Sequence, residues 1–261
     1  MFHFGTNTKL QHTPAESVQF VRDVAQQLKE RPLDQAARLW YTPPYTSLVA
    51  VADECKWADI ALGAQNCHWE DKGAAIGEMS PAVLRECGAQ FVVLGHAERR
   101  ARFGETNAQL NLKVHAAQRN SLGVMLCIGE TADEKNYGIA REVSSTQLHV
   151  CLHGIPPDGL MVLYEPVWSV GAGGEAAQPE YVANAFKWIR HVLVTQYHEQ
   201  GLGIPLLYGG SVNAFNAFSL AATPECNGLG VGRAAWTSDS YVHVLRAALG
   251  GPPPVLRRPQ L

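Results

Sequence analysis

The sequence predicts an α/β fold built on a parallel sheet. Eight short apolar runs recur along the chain, at 1–4, 38–41, 60–63, 91–94, 123–128, 160–164, 205–208 and 229–231. Each has the length of a buried strand. Longer helix-like stretches lie between most of them, at 14–30, 81–87, 107–119, 140–149, 180–199 and 238–249. Such alternation indicates βα units, and therefore a parallel sheet. Polar or ionisable residues follow most of the runs. Periodicity alone leaves open whether the sheet is open or closed.

The elements follow in order from local signals. Pro14 and Pro81 sit where helices often begin, and Ser80 before Pro81 is a natural N-cap. The chain has 261 residues, about the size of one barrel domain, and 46% of them are hydrophobic, enough for a sizeable core. No repeat or internal linker interrupts residues 1–250, and the proline-rich 251–261 reads as an irregular C-terminal tail.

A net charge of -3 leaves no electrostatic footprint for nucleic acid or an anionic membrane. The N-terminal residues lack a basic segment followed by an apolar one, and no apolar run approaches the roughly 20 residues of a membrane span. The six cysteines, Cys55, Cys67, Cys87, Cys127, Cys151 and Cys226, form no Cys-x-x-Cys pair and read as free thiols in a reducing compartment. The expectation is a cytoplasmic protein with no membrane or nucleic-acid partner.

In (β/α) proteins the functional groups gather at the C-terminal ends of the strands. Here those ends carry Asn7 and Lys9, Gln65 and Asn66, His96 and Glu98, Glu130, Glu165, Ser211 and Gly232. Glu165 directly follows an apolar run, so its carboxylate loses solvent and suits general base work. The small, glycine-rich 169–174 after it has the composition of a hinged lid. His96 stands at a strand end and a helix start, where a neutral ring donates a hydrogen bond to a carbonyl; the other nine histidines read as structural. Two glycine-rich turns, 208–211 and 228–233, fall at the seventh and eighth strand ends, where backbone N–H groups bind phosphate. Lys9 offers the fixed positive charge that an anionic substrate needs.

Taken together, these segments resemble the triosephosphate isomerase family from Gly5 to about Leu249. The most specific are 65–67 (Gln-Asn-Cys), 77–81 (Gly-Glu-Met-Ser-Pro), 93–100, 103–105, 127–130 (Cys-Ile-Gly-Glu), 164–168 (Tyr-Glu-Pro-Val-Trp) and 208–212. The resemblance implies that the sheet closes, giving a single (β/α)8 TIM barrel over 1–250. It implies an aldose–ketose isomerase of glycolysis and gluconeogenesis, interconverting dihydroxyacetone phosphate and D-glyceraldehyde 3-phosphate through an enediolate. Glu165 would move the proton, neutral His96 would polarise the carbonyl, and Lys9 and Asn7 would stabilise negative charge. Glu98 would hold Lys9, and Cys127 belongs to the supporting set. Backbone groups of Gly171, Ser211, Gly232 and Arg233 would hold the phosphate. No metal or organic cofactor is implied, and the partner is a second copy, docked through the loop from Cys67 to Met79.

The surroundings depart from the family pattern. Ile76 stands in place of a threonine, Ala97 in place of a serine, and Ala172 and Gly174 in place of larger lid residues. Thr8 and Leu10 flank Lys9 where tryptophan and methionine are usual. Gly230 replaces a bulky apolar residue, which implies a larger pocket, and Arg233 replaces a glycine. The Gly-Arg-x-x-Trp pattern ending at Trp236 resembles isomerases of four-carbon ketose phosphates such as erythrulose phosphate, the alternative substrate. A third reading is a non-catalytic phosphosugar-binding protein.

Overall fold

The computed structural model describes residues 1–33, 37–171 and 173–250. The proline-rich 251–261 and Ala172 lie outside the described residues. In chain order the elements are β1 (Phe2–Asn7), α1 (Pro14–Glu30), β2 (Ala37–Thr42), α2 (Leu48–Trp57), β3 (Ile60–Ala64), α3 (Pro81–Glu86), β4 (Phe91–Leu94), α4 (Ala97–Phe103) and α5 (Asn107–Arg119). They continue with β5 (Gly123–Ile128), α6 (Ala132–Asn136), α7 (Ala140–Cys151), β6 (Leu160–Tyr164), α8 (Pro179–Tyr197), β7 (Leu206–Tyr208), α9 (Ala217–Ala221), β8 (Gly228–Val231) and α10 (Ser238–Ala248).

Every strand pairs in parallel with the next, and β1 also pairs with β8, so the eight strands form a closed barrel. The sequence pattern explains why. Alternate residues of each strand face opposite sides. One set, including Phe4, Tyr41, Leu126, Tyr164 and Leu229, joins the helices in the larger hydrophobic core. The other set, Trp40, Phe91, Val93, Met125, Cys127, Leu163 and Leu207, fills the barrel interior. With both faces buried, the strands read as continuous apolar runs.

Helix starts are fixed by local chemistry. Thr13 caps α1 in a reciprocal box with Glu16, and Pro14 occupies the first turn. Thr106 and Gln109 do the same for α5, and Ser80 caps α3. Each such cap satisfies N–H groups with no partner inside the helix, worth about 1 kcal/mol.

One rung of the barrel is unusual. Gly5 pairs with Trp40 on one side and Gly230 on the other. A Cβ on Gly5 would sit 2.1 Å from Cδ2 of Trp40, and one on Gly230 would sit 3.5 Å from its Cζ2. The indole therefore reaches from β2 across β1 to β8, over two residues without side chains. Trp40 also meets Phe91 edge to face, at 6.1 Å and 86°. The room expected from Gly230 is thus partly filled: Trp40 lies over it, and Cδ1 of Leu163 is 3.0 Å from the Cβ position.

Candidate active site

β1, β4 and β6 deliver the ionisable groups to the C-terminal end of the barrel. β1 ends at Asn7, and Lys9 follows with φ +52, an unusual conformation for a residue with a side chain. Two bonds hold it there: its N–H donates to Asn7 Oδ1 at 2.8 Å, and its carbonyl accepts from Gln65 Nε2 at 2.9 Å. The ammonium then reaches across to Glu98 Oε1 at 2.6 Å. Burial pushes the Glu98 carboxyl up, but the Lys9 ammonium and, to a lesser degree, the other basic groups around it together hold it below the usual carboxylate range.

His96 is the N-cap of α4, and its Nδ1 accepts from the backbone N–H of Glu98 at 3.2 Å. An accepting Nδ1 carries no proton, so the proton of a neutral ring lies on Nε2. That atom stands 3.4 Å from Glu165 Oε2. The other carboxylate oxygen of Glu165 accepts from the N–H of Ala97 at 2.7 Å. Glu165 is 3% exposed, so these partners replace most of its water.

Cys127 lies beneath this pair, fully buried. Burial pushes its thiol well up, and the Glu165 charge and a hydrogen bond to it add to the effect, so it stays protonated. Gly129, two residues on, has no room for a side chain: a Cβ there would lie 2.2 Å from the Glu165 carbonyl oxygen.

The segment expected to act as a lid leaves β6 through a short 3-10 turn, Val167–Ser169. Glu130 lies beneath it, accepting from Tyr164 Oη, Trp168 Nε1 and Tyr181 Oη at 2.9, 2.8 and 2.7 Å. Although it stands at a strand end in the sequence, Glu130 holds Trp168 of the segment after β6 and does not line the cavity. On the far side, Ser211 Oγ donates to the carbonyls of Ser169 and Gly174 at 2.8 and 3.1 Å. The N–H of Ser211 donates to Ser169 Oγ at 3.1 Å, so it is engaged by the lid. Ala177 N–H reaches Tyr208 Oη at 3.3 Å.

A single cavity of about 640 Å³ opens between these elements. Asn7, Lys9, His96, Glu98 and Glu165 line one part of it, and Gly171, Ser211, Gly232 and Arg233 line another. Of the expected strand-end and supporting residues, Gln65, Asn66, Cys127 and Glu130 are set back from the wall. Arg102, an exposed cation of α4, and Trp236 line the cavity as well, and neither was expected there. Trp236 holds the strand end, its indole N–H donating to the Asn7 carbonyl at 2.9 Å, while its own carbonyl meets His12 at 2.8 Å. Trp40, Val93, Met125 and Leu163 form the floor.

Behind the wall lies a buried ion cluster. Glu105 pairs with Lys113, and with Arg99 at 3.1 Å; Lys113 also donates to Asn66 Oδ1 at 3.1 Å. It joins the loop after β3 to α4 and α5.

A buried carboxylate, an imidazole, an ammonium and glycine-rich turns gathered on one barrel rim are the equipment of a sugar-phosphate isomerase. The family model described as "Triosephosphate isomerase" matches residues 3–248. The chain belongs to the triosephosphate isomerase family. It is 37% identical over 241 residues to a triosephosphate isomerase of Synechococcus sp., covering 92% of this chain and 94% of that one. It is 38% identical over 252 residues to an L-erythrulose-1-phosphate isomerase of Rhizobium rhizogenes, covering 94% and 93%. The crystal structure of triosephosphate isomerase from Bartonella henselae superposes with a TM-score of 0.85 at 31% identity, covering 94% of this chain and 98% of that one.

Proposed function

We propose that the chain interconverts dihydroxyacetone phosphate and D-glyceraldehyde 3-phosphate through an enediolate. The observation that carries this reading is the approach of Glu165 and Nε2 of His96 to 3.4 Å on the wall of one cavity. Glu165 takes the proton from the carbon beside the carbonyl and returns it to the neighbouring carbon. His96 donates from Nε2 to the substrate oxygens, and the Lys9 ammonium stabilises the charge that develops there. The Asn7 amide adds a donor. Gly171, Ser211, Gly232 and Arg233 hold the phosphate; Ser211 gives up its bond to Ser169 Oγ as the lid adjusts. The chemistry is proton transfer alone and calls for no metal or organic cofactor.

A second reading is isomerisation of a four-carbon ketose phosphate such as L-erythrulose 1-phosphate by the same groups. Arg233 on the cavity wall, the Trp236 anchor and the rung of Gly5, Trp40 and Gly230 favour it, as do relatives bearing that activity in their names. Measuring kcat/KM on glyceraldehyde 3-phosphate beside a four-carbon ketose phosphate decides between them. A clear preference for the triose supports the first reading, and the reverse supports the second. Turnover of neither overturns both and leaves a phosphosugar-binding protein.

The functional unit we propose is a cytoplasmic homodimer. Ile76 at the tip of the loop from Cys67 to Met79 is fully exposed, and Leu10, beside Lys9, is 92% exposed. Apolar side chains so exposed beside a site are suited to a partner surface. The loop is pinned from behind, Arg119 holding Asp71 at 3.0 Å and the Trp69 carbonyl at 2.6 Å.

A further inference from the structure

We infer that Trp40 is a specificity-determining residue, whose indole N–H donates a hydrogen bond to a substrate hydroxyl one carbon beyond the reacting pair. The inference rests on the second reading, a four-carbon ketose phosphate as substrate.

Trp40 is 4% exposed, yet its Nε1 finds no hydrogen-bond partner among the described residues. An indole N–H is a donor only, and leaving a buried one unmade costs about 1–3 kcal/mol. Such a group persists where something outside the resting protein satisfies it.

The strand register says where that partner lies. Side chains alternate along a strand, so residues two apart face the same way. Gly5 is two before Asn7, Gly230 two before Gly232, and Leu163 two before Glu165. The rung of Trp40, Gly5 and Gly230 is therefore the layer directly beneath the catalytic groups, and Trp40, Leu163 and Gly230 all line their cavity. The ring atom that reaches Gly230 is Cζ2, two bonds from Nε1. A side chain on Gly5 would displace the indole, so that glycine lets the ring lie across the floor, where it comes within ordinary contact distance of Gly230.

The rest of the floor, Val93, Met125 and Leu163, is apolar. A substrate with its phosphate at the rim and its reacting carbons between Glu165 and His96 directs its next carbon at this floor. A triose phosphate ends at the reacting pair. A four-carbon ketose phosphate carries one more CH2OH, and the indole N–H is the donor waiting for it. A second cavity of about 710 Å³ at the opposite end of the barrel is also bounded by Trp40, so the indole separates the two.

The test compares wild type and Trp40→Phe on three substrates: a four-carbon ketose phosphate, its analogue lacking the terminal hydroxyl, and glyceraldehyde 3-phosphate. The expected result is a fall in kcat/KM for the four-carbon substrate that is about fivefold or more larger than the falls for the deoxy analogue and the triose. Equal losses on all three overturn the donor role and leave Trp40 as packing, while the four-carbon reading stands. Wild type without four-carbon turnover overturns that reading and the inference with it. Should the variant not fold, wild type alone decides. A preference for the hydroxylated substrate over its deoxy analogue of fivefold or more supports the hydrogen bond, and a lesser one overturns it.

Discussion

The backbone N–H of Ala97 donates to Glu165 Oε1 at 2.7 Å, while Glu165 Oε2 stands 3.4 Å from Nε2 of His96. The start of α4 thus holds the carboxylate by one oxygen and leaves the other beside the imidazole.

Glu165→Gln keeps the shape and the hydrogen bond to Ala97 but removes the proton acceptor. The expected outcome is a loss in kcat of about 10²–10⁴-fold, read in a coupled assay. A purified, folded variant with near-normal turnover would refute the assignment.

Glu98→Gln removes the charge facing the Lys9 ammonium at 2.6 Å. The left-handed backbone at Lys9 stays, because Asn7 and Gln65 hold it, but the ammonium is no longer aimed. We expect kcat to fall about tenfold and thermal stability to stay near wild type. Unchanged kcat would remove Glu98 as the anchor of Lys9.

Glu105 ties stability to pH. Burial pushes its carboxyl up, but Lys113, and then Arg99, outweigh burial and hold it below the usual range. A carboxyl whose pKa is lowered by folding stabilises the protein above its unfolded value and loses that contribution as pH falls through the folded one. Glu105→Gln should therefore cost about 3 kcal/mol at pH 7, by leaving Lys113 buried and unpaired. The gap in unfolding free energy should narrow below about pH 4. Urea titrations at pH 7 and pH 3.5 check this; a gap that does not change with pH counts against the ion cluster.

Ile76→Asp places a charge on the exposed loop tip. Sedimentation equilibrium should show a wild-type dimer and a variant whose dissociation constant is raised at least tenfold, because the charge is buried without a partner on association. A monomeric wild type would remove this interface.

Much of the fold is legible in the sequence because it is set locally. Pro14 and Thr13 fix the start of α1, and the apolar runs at 91–94, 123–128 and 160–164 coincide with β4, β5 and β6. β1 was read as ending at Phe4 but continues to Asn7. Gly5 breaks the apolar run and is a poor strand former; it is there because the Trp40 ring occupies its side-chain space. α2 was not marked, since its short run of small and apolar residues lacks a cap signal: Ser47 makes no side-chain cap bond. At the site, residues on strand ends were readable one strand at a time, as with Glu165 and His96. Trp40 was not, because its role depends on the register of β8 against β1, 225 residues apart for Gly5 and Gly230. Arg102 is not legible for a similar reason, since no local signal marks a helix residue whose side chain reaches the cavity, and Trp236 enters only through the Gly-Arg-x-x-Trp pattern.

Gly5, Trp40 and Gly230 also constrain how this protein can diverge. A side chain introduced at Gly5 meets the indole already in place at 2.1 Å, and one at Gly230 meets Leu163 at 3.0 Å and the indole at 3.5 Å. Truncating Trp40 first leaves a hole in the barrel, at a cost of about 3–5 kcal/mol for a large aromatic residue. The three positions are therefore strongly epistatic, and their substitutions will not add. A lineage leaving this arrangement must pass through a destabilised ancestor before the glycines are free to change, so the rung should be inherited or lost as a unit.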